Sequence, residues 1–144
     1  MILDAFWSGI LAALIMAIWI EIAAVFRLGH LNHLAFLGGL VLGRRTSHRW
    51  ARLMGIIPHL LMGGVLGAFY GWLAENSLIS AQFSILGFLV FAVFPWLIIE
   101  TTILPLLGHG VFSQPRRLKA VPANLVIHGI FSAGLVYFLA LLSA

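Results

Sequence analysis

Four long apolar segments are the feature of this sequence that most constrains its fold. They cover residues 5–26, 50–74, 83–107 and 123–142. Each is long enough for a helix to cross the ~30 Å hydrocarbon core of a bilayer, which takes about 20 residues. The chain is 62% hydrophobic and 8% charged, whereas an ordinary soluble domain has about 25% charged residues. The sequence therefore predicts an all-α membrane protein with four transmembrane helices.

The rest of the chain adds no second domain to this plan, so residues 1–144 are predicted to form a single transmembrane domain. No basic residue precedes the first apolar segment, and this segment is longer than the ~7–15-residue core of a signal peptide. We therefore expect it to be retained as a span. The apolar stretch 31–42 is too short to cross a membrane, which favours an interfacial or re-entrant piece.

The basic residues indicate the orientation of the spans. They occur only on one side of the predicted topology: between spans one and two, with Arg52 at the start of span two, and between spans three and four. By the positive-inside rule both of these loops are cytoplasmic and both termini are external, together with Asp4 and Glu75. Because the basic residues are not interleaved with aromatic ones on a polar surface, the sequence excludes nucleic acid as a partner. The basic residues are Arg27, Arg44, Arg45, Arg49, Arg52, Arg116, Arg117 and Lys119.

The two halves of the chain resemble each other. Glu21 precedes a Gly-His pair at 29–30, and Glu100 precedes the same pair at 108–109, which is 79 positions later. His128 follows His59 by 69 positions, and each of these histidines stands four residues before a pair of small residues. The repeat predicts two tandem helical hairpins, residues 5–74 and 83–142, related by a pseudo-twofold axis along the membrane normal.

Four ionisable residues inside the spans form the candidate site. Counting helical rise places Glu21, His59, Glu100 and His128 at one level, roughly 9–14 Å below the cytoplasmic boundary. Ridges of small residues on the same helix faces indicate that these groups point into the bundle. Carboxylate and imidazole suit iron, manganese, zinc or Cu(II), and the chain contains no cysteine. We therefore predict that the four residues bind a metal ion in an accessory redox or metal-handling subunit. No catalytic residue is predicted.

Several alternatives remain open at this stage. The four groups could pair with one another only for structural reasons, or they could relay protons or ions. A b-type haem is another alternative, with His59 and His128 as axial ligands and the neighbouring glycines making room for the macrocycle. The small-residue ridges also suit a non-catalytic subunit that packs against other membrane subunits or against copies of itself.

The stretch His-Leu-Leu-Met-Gly-Gly-Val-Leu-Gly-Ala-Phe-Tyr-Gly at 59–71, echoed by a histidine early in the last span, resembles a motif of YagU-like proteins. These are small four-span proteins of the bacterial inner membrane. The resemblance covers mainly spans two and four, and it implies a multi-pass protein of the bacterial inner membrane. It implies no catalytic residues, and the Glu/His repeat rests on this sequence alone.

Overall fold

The computed structural model describes residues 1–26, 33–43, 46–80, 84–106, 110–113 and 120–143, and within these ranges every regular element is helical. Four helices are long and apolar enough to cross a membrane, which confirms the predicted multi-pass helical bundle in a lipid environment. The α-helices are α1 (Ile2–Val25), α2 (His33–Leu42), α3 (His48–Glu75), α4 (Ile85–Ile98), α5 (Leu104–Leu106) and α6 (Ala120–Leu142). A π-helix (Ile99–Ile103) joins α4 to α5, and a 3-10 turn (Val111–Ser113) follows.

Helix α1 lies between two neighbours, because it packs along both α3 and α6, while α4 packs along the other side of α6. Large apolar side chains fill the space where these helices meet, among them Met16, Tyr70, Phe91 and Phe131. Many large apolar side chains on the outer faces are exposed, as expected of helices that contact lipid tails.

Helices α1 and α3 touch backbone to backbone along a ridge of glycines. A Cβ atom at Gly63 would lie 2.6 Å from the carbonyl oxygen of Gly9, and one at Gly67 would lie 2.9 Å from the Cα of Gly9. Farther along α3, Gly55 packs in the same way on the main chain of Leu34 in α2. The space beside these glycines is therefore occupied by the backbones of α1 and α2.

The chain terminus and the end of α3 meet at one end of the bundle. The Met1 amine lies 3.1 Å from Asp4 Oδ2 and 3.6 Å from Glu75 Oε1. The hydrogen bond to Asp4 raises the pKa of this amine. Asp4 and Glu75 thus share one end, as predicted. Which side of the membrane this end faces stays a prediction, because all basic residues except Arg49 and Arg52 lie outside the described residues.

Helix α2 is not a span. It has 10 residues, about 15 Å of helix, half of what a bilayer core requires. Helix α3 has 28 residues, about 42 Å, so roughly 12 Å of it extends past a 30 Å core. Because α2 packs on the first turns of α3, through Gly38 against Ala51, it lies beside this end of the long helix.

The third span departs from the continuous helix that its hydropathy predicts over 83–107. Proline at 105 has no N–H group, and its ring collides with the carbonyl four residues earlier in a regular helix. Just before this proline the backbone widens into the π-helix, in which the Leu104 N–H bonds to the Ile99 carbonyl five residues back. Glu100 lies inside this widened turn.

The close contact between α1 and α3 predicts different effects for two Gly→Ala substitutions. Gly67→Ala would push a methyl group into the Ala5 carbonyl and should destabilise the protein by about 1–3 kcal/mol, as overpacking does. Gly39→Ala in α2 is the control, because no atom lies within 4 Å of its new Cβ. Gly39→Ala should be neutral or stabilising by up to about 1 kcal/mol.

The measurement is unfolding in detergent, followed by circular dichroism. Equal stability of the two variants would contradict the tight backbone contact.

Candidate functional site

Glu100 is the most deeply buried acid among the described residues. It has no exposed surface, and its Oε1 accepts a hydrogen bond of 2.8 Å from the Asn124 side-chain amide on α6. Its second oxygen, Oε2, has no hydrogen-bond partner in the described structure, and neither has Asn124 Oδ1. Buried polar atoms nearly always have partners, so these two oxygens mark the Glu100–Asn124 pair as incomplete.

His128 lies one helical turn after Asn124 on the same face of α6 and is 4% exposed. Its Nδ1 is 2.8 Å from the main-chain carbonyl oxygen of Asn124. A carbonyl oxygen only accepts, so Nδ1 carries the proton and donates it. The lone pair of the neutral ring is therefore on Nε2, which is the nitrogen available to a ligand.

His59 is held in a comparable way on α3. It is 7% exposed, and its Nε2 lies 3.1 Å from the carbonyl oxygen of Ala13 in α1. The same argument assigns the proton to Nε2 and the lone pair to Nδ1.

Contacts with α1 allow the depths of the two imidazoles to be compared. Gly63 and Gly134 both pack on α1 at residues 12–13. His59 lies about one turn, or ~6 Å, before Gly63, and His128 lies ~9 Å before Gly134. The two histidines therefore occupy similar levels in the bundle.

Glu21 lies apart from these groups and is neutralised by another side chain. It forms an ion pair with Arg52, and about a third of its side chain is exposed. Glu21 follows Ala13 by eight residues, so it is ~12 Å farther along α1. Arg52 stands on the second turn of α3, which begins at His48.

The four predicted ligands thus have different partners: Arg52 for Glu21, the Ala13 carbonyl for His59, the Asn124 side chain for Glu100 and the Asn124 carbonyl for His128. No three His, Asp or Glu side chains among the described residues lie together in a way that could hold one metal ion. Metal binding by Glu21, His59, Glu100 and His128 stays a prediction. His30 and His109, the histidines of the two Gly-His pairs, lie outside the described residues.

Asn124 is the residue that sequence reasoning passed over. Asn124 precedes His128 by four positions and so shares its helix face. Its amide oxygen is a possible metal ligand, as side-chain amide carbonyls are in other proteins.

Comparison with known proteins does not assign the chain to a family. No family model, no curated protein and no solved structure matches the chain. The resemblance to YagU-like proteins therefore stays a prediction, and the function has to be argued from the site itself.

The Glu100–Asn124 pair predicts a non-additive pair of substitutions. Asn124→Leu removes the one hydrogen-bond partner that the described residues provide for the buried Glu100 carboxyl group and should destabilise the protein by about 1–3 kcal/mol. Adding Glu100→Met should recover much of this loss, because replacing both partners by apolar groups of similar shape is nearly neutral.

Unfolding of the two variants and the wild type in detergent measures the coupling. If the effects of the two substitutions simply added, Glu100 and Asn124 would not form the pair described above.

Proposed function

We propose that the protein is a metal-handling membrane protein whose ion binds between the π-helix and α6, at Glu100, Asn124 and His128. The observation that carries this proposal is the presence of two fully buried oxygen atoms, Glu100 Oε2 and Asn124 Oδ1, without hydrogen-bond partners among the described residues. A cation would satisfy both oxygens and would also compensate a buried carboxylate, which is costly in a membrane when unpaired.

The donor set indicates which cations fit. Glu100 offers a carboxylate oxygen, Asn124 an amide oxygen and His128 an imidazole nitrogen. Oxygen donors suit manganese, and imidazole suits iron, zinc and copper, so a mixed set favours a divalent first-row ion. Metal-bound histidines usually donate their other N–H to a carbonyl or carboxylate. His128 has this arrangement already, through Nδ1 and the Asn124 carbonyl.

The backbone around Glu100 also supports a functional role. Single π-helical turns inside α-helices are frequent at functional sites, and Glu100 is the buried residue of such a turn. Ionisable residues inside membrane spans are rare and usually mark ion or substrate sites. The membrane itself would be the bacterial inner membrane, with both termini external.

We further propose that the two hairpins are related by the pseudo-twofold axis. Equivalent contacts support this relation. Gly63 in α3 packs on the Gly9 carbonyl, and 69 positions later Ser132 in α6 donates a 2.8 Å hydrogen bond to the Phe88 carbonyl. Phe88 is itself 79 positions after Gly9. These are the offsets of the histidines and of the glutamates.

Metal analysis of detergent-purified protein tests the proposal. After equilibration with Mn²⁺ or Zn²⁺ and removal of free ion, the wild type should retain about one ion per chain. Glu100→Gln and His128→Ala should each weaken binding at least tenfold, because each removes one of three ligands. Glu75→Gln, an exposed acid at the other end of the bundle, is the matched control and should bind as the wild type does.

The Glu21→Gln variant distinguishes this site from the four-residue site that the sequence predicts. It should retain the ion if the ligands are Glu100, Asn124 and His128, and it should lose the ion if Glu21 is also a ligand. A wild type that binds no metal ion would overturn the proposal. An optical Soret band in the purified protein would replace it with haem bound at His59 and His128.

A further inference from the structure

The equivalent glutamates in the two halves of the chain have partners of different charge. In the first half, Glu21 has a cationic partner on the neighbouring helix, Arg52. The residue 69 positions after Arg52 is Val121, which is apolar. The glutamate of the second half, Glu100, has a neutral amide as its partner instead, and one of its oxygens has no hydrogen bond in the described structure.

Val121 lies close to where a cation for Glu100 would be held. It stands three residues before Asn124, and residues with this spacing are neighbours on a helix surface. Its carbonyl oxygen accepts a 3.3 Å hydrogen bond from Trp96 Nε1, and Trp96 precedes Glu100 by one turn. The start of α6 at Val121 therefore packs against the turn that leads into Glu100.

The amide position also differs between the halves. Asn124 corresponds to Gly55, 69 positions earlier. Gly55 offers no side chain, and the Leu34 main chain of α2 occupies the space beside it. The first half therefore has a guanidinium group and no amide ligand, whereas the second half has an amide ligand and no cationic side chain.

We propose that Arg52 is a built-in cation that closes the first-half copy of the site, and that the second-half copy takes a divalent metal ion because Val121 stands where an arginine would neutralise Glu100. This inference rests on the proposed function. It explains why one chain would hold one ion rather than two, and it makes position 121 the determinant of whether the site accepts a metal.

Exchange of the two residues tests the inference, with Mn²⁺ as the probe and electron paramagnetic resonance as the measure of bound ion. Val121→Arg should bring a guanidinium to Glu100 and weaken Mn²⁺ binding at least tenfold. Val121→Gln is the matched control, because it adds a long polar side chain without charge, and it should retain Mn²⁺. Both variants are first checked for folding by size-exclusion chromatography and circular dichroism.

The reverse exchange keeps the inference testable even where Val121→Arg does not fold. Arg52→Val should expose Glu21 and add a second, weaker Mn²⁺ site, which the further change Glu21→Gln should remove. Folded Val121→Arg protein that binds Mn²⁺ as tightly as the wild type would overturn the inference while leaving the proposed site intact. So would Arg52→Val protein without a second site.

If the proposed function is wrong, the result is different, because the wild type then binds no Mn²⁺ at all. Gain of an ion in Arg52→Val alone would, in that case, still support the role of Arg52 as a built-in cation.

Discussion

A carboxyl group without exposed surface, inside a helix that is apolar enough to cross a membrane, imposes a cost that the surrounding structure has to offset. Glu100 is that group. Transfer of an unpaired carboxylate out of water is so unfavourable that such groups are paired, coordinated to a cation or neutral. The protein supplies one amide hydrogen bond, from Asn124. The candidate site follows from Glu100 Oε2, the carboxyl oxygen for which the described residues provide no hydrogen-bond partner.

Close packing of α1 on the glycines of α3 sets the hydrogen-bond partner of His59. Backbone contact at Gly63 and Gly67 leaves no gap between these helices, and the same contact brings the Ala13 carbonyl to the His59 imidazole. In α6, by contrast, the small positions are occupied by Asn124 and Ser132, whose side chains bond to the third span. Similar helix pairs thus use backbone contact in one half and side-chain hydrogen bonds in the other.

Much of the fold could be predicted from the sequence, because each span is an apolar run longer than a bilayer core requires, and α2 is visibly too short. The hydrogen-bond and ion-pair partners of the polar groups could not be predicted in this way. The ion pair of Glu21 depends on how α1 and α3 pack against each other, which brings Arg52 beside the carboxylate, and hydropathy does not specify this packing. The glycine ridge of α3 predicts that another helix packs closely against it. It does not predict which helix, since α1 and α2 both carry small residues. The π-helix lies just before Pro105, and a hydropathy pattern does not register such a change in the backbone hydrogen bonds.

The account depends most directly on a cation lying beside Glu100. Crystals of the protein grown with Mn²⁺ and measured at a wavelength where manganese scatters anomalously would show its position without reference to binding curves. The account predicts a single anomalous peak per chain, within coordination distance of Glu100, Asn124 and His128 Nε2. A peak beside Glu21, or a map with the protein well ordered and no peak between the π-helix and α6, would contradict it.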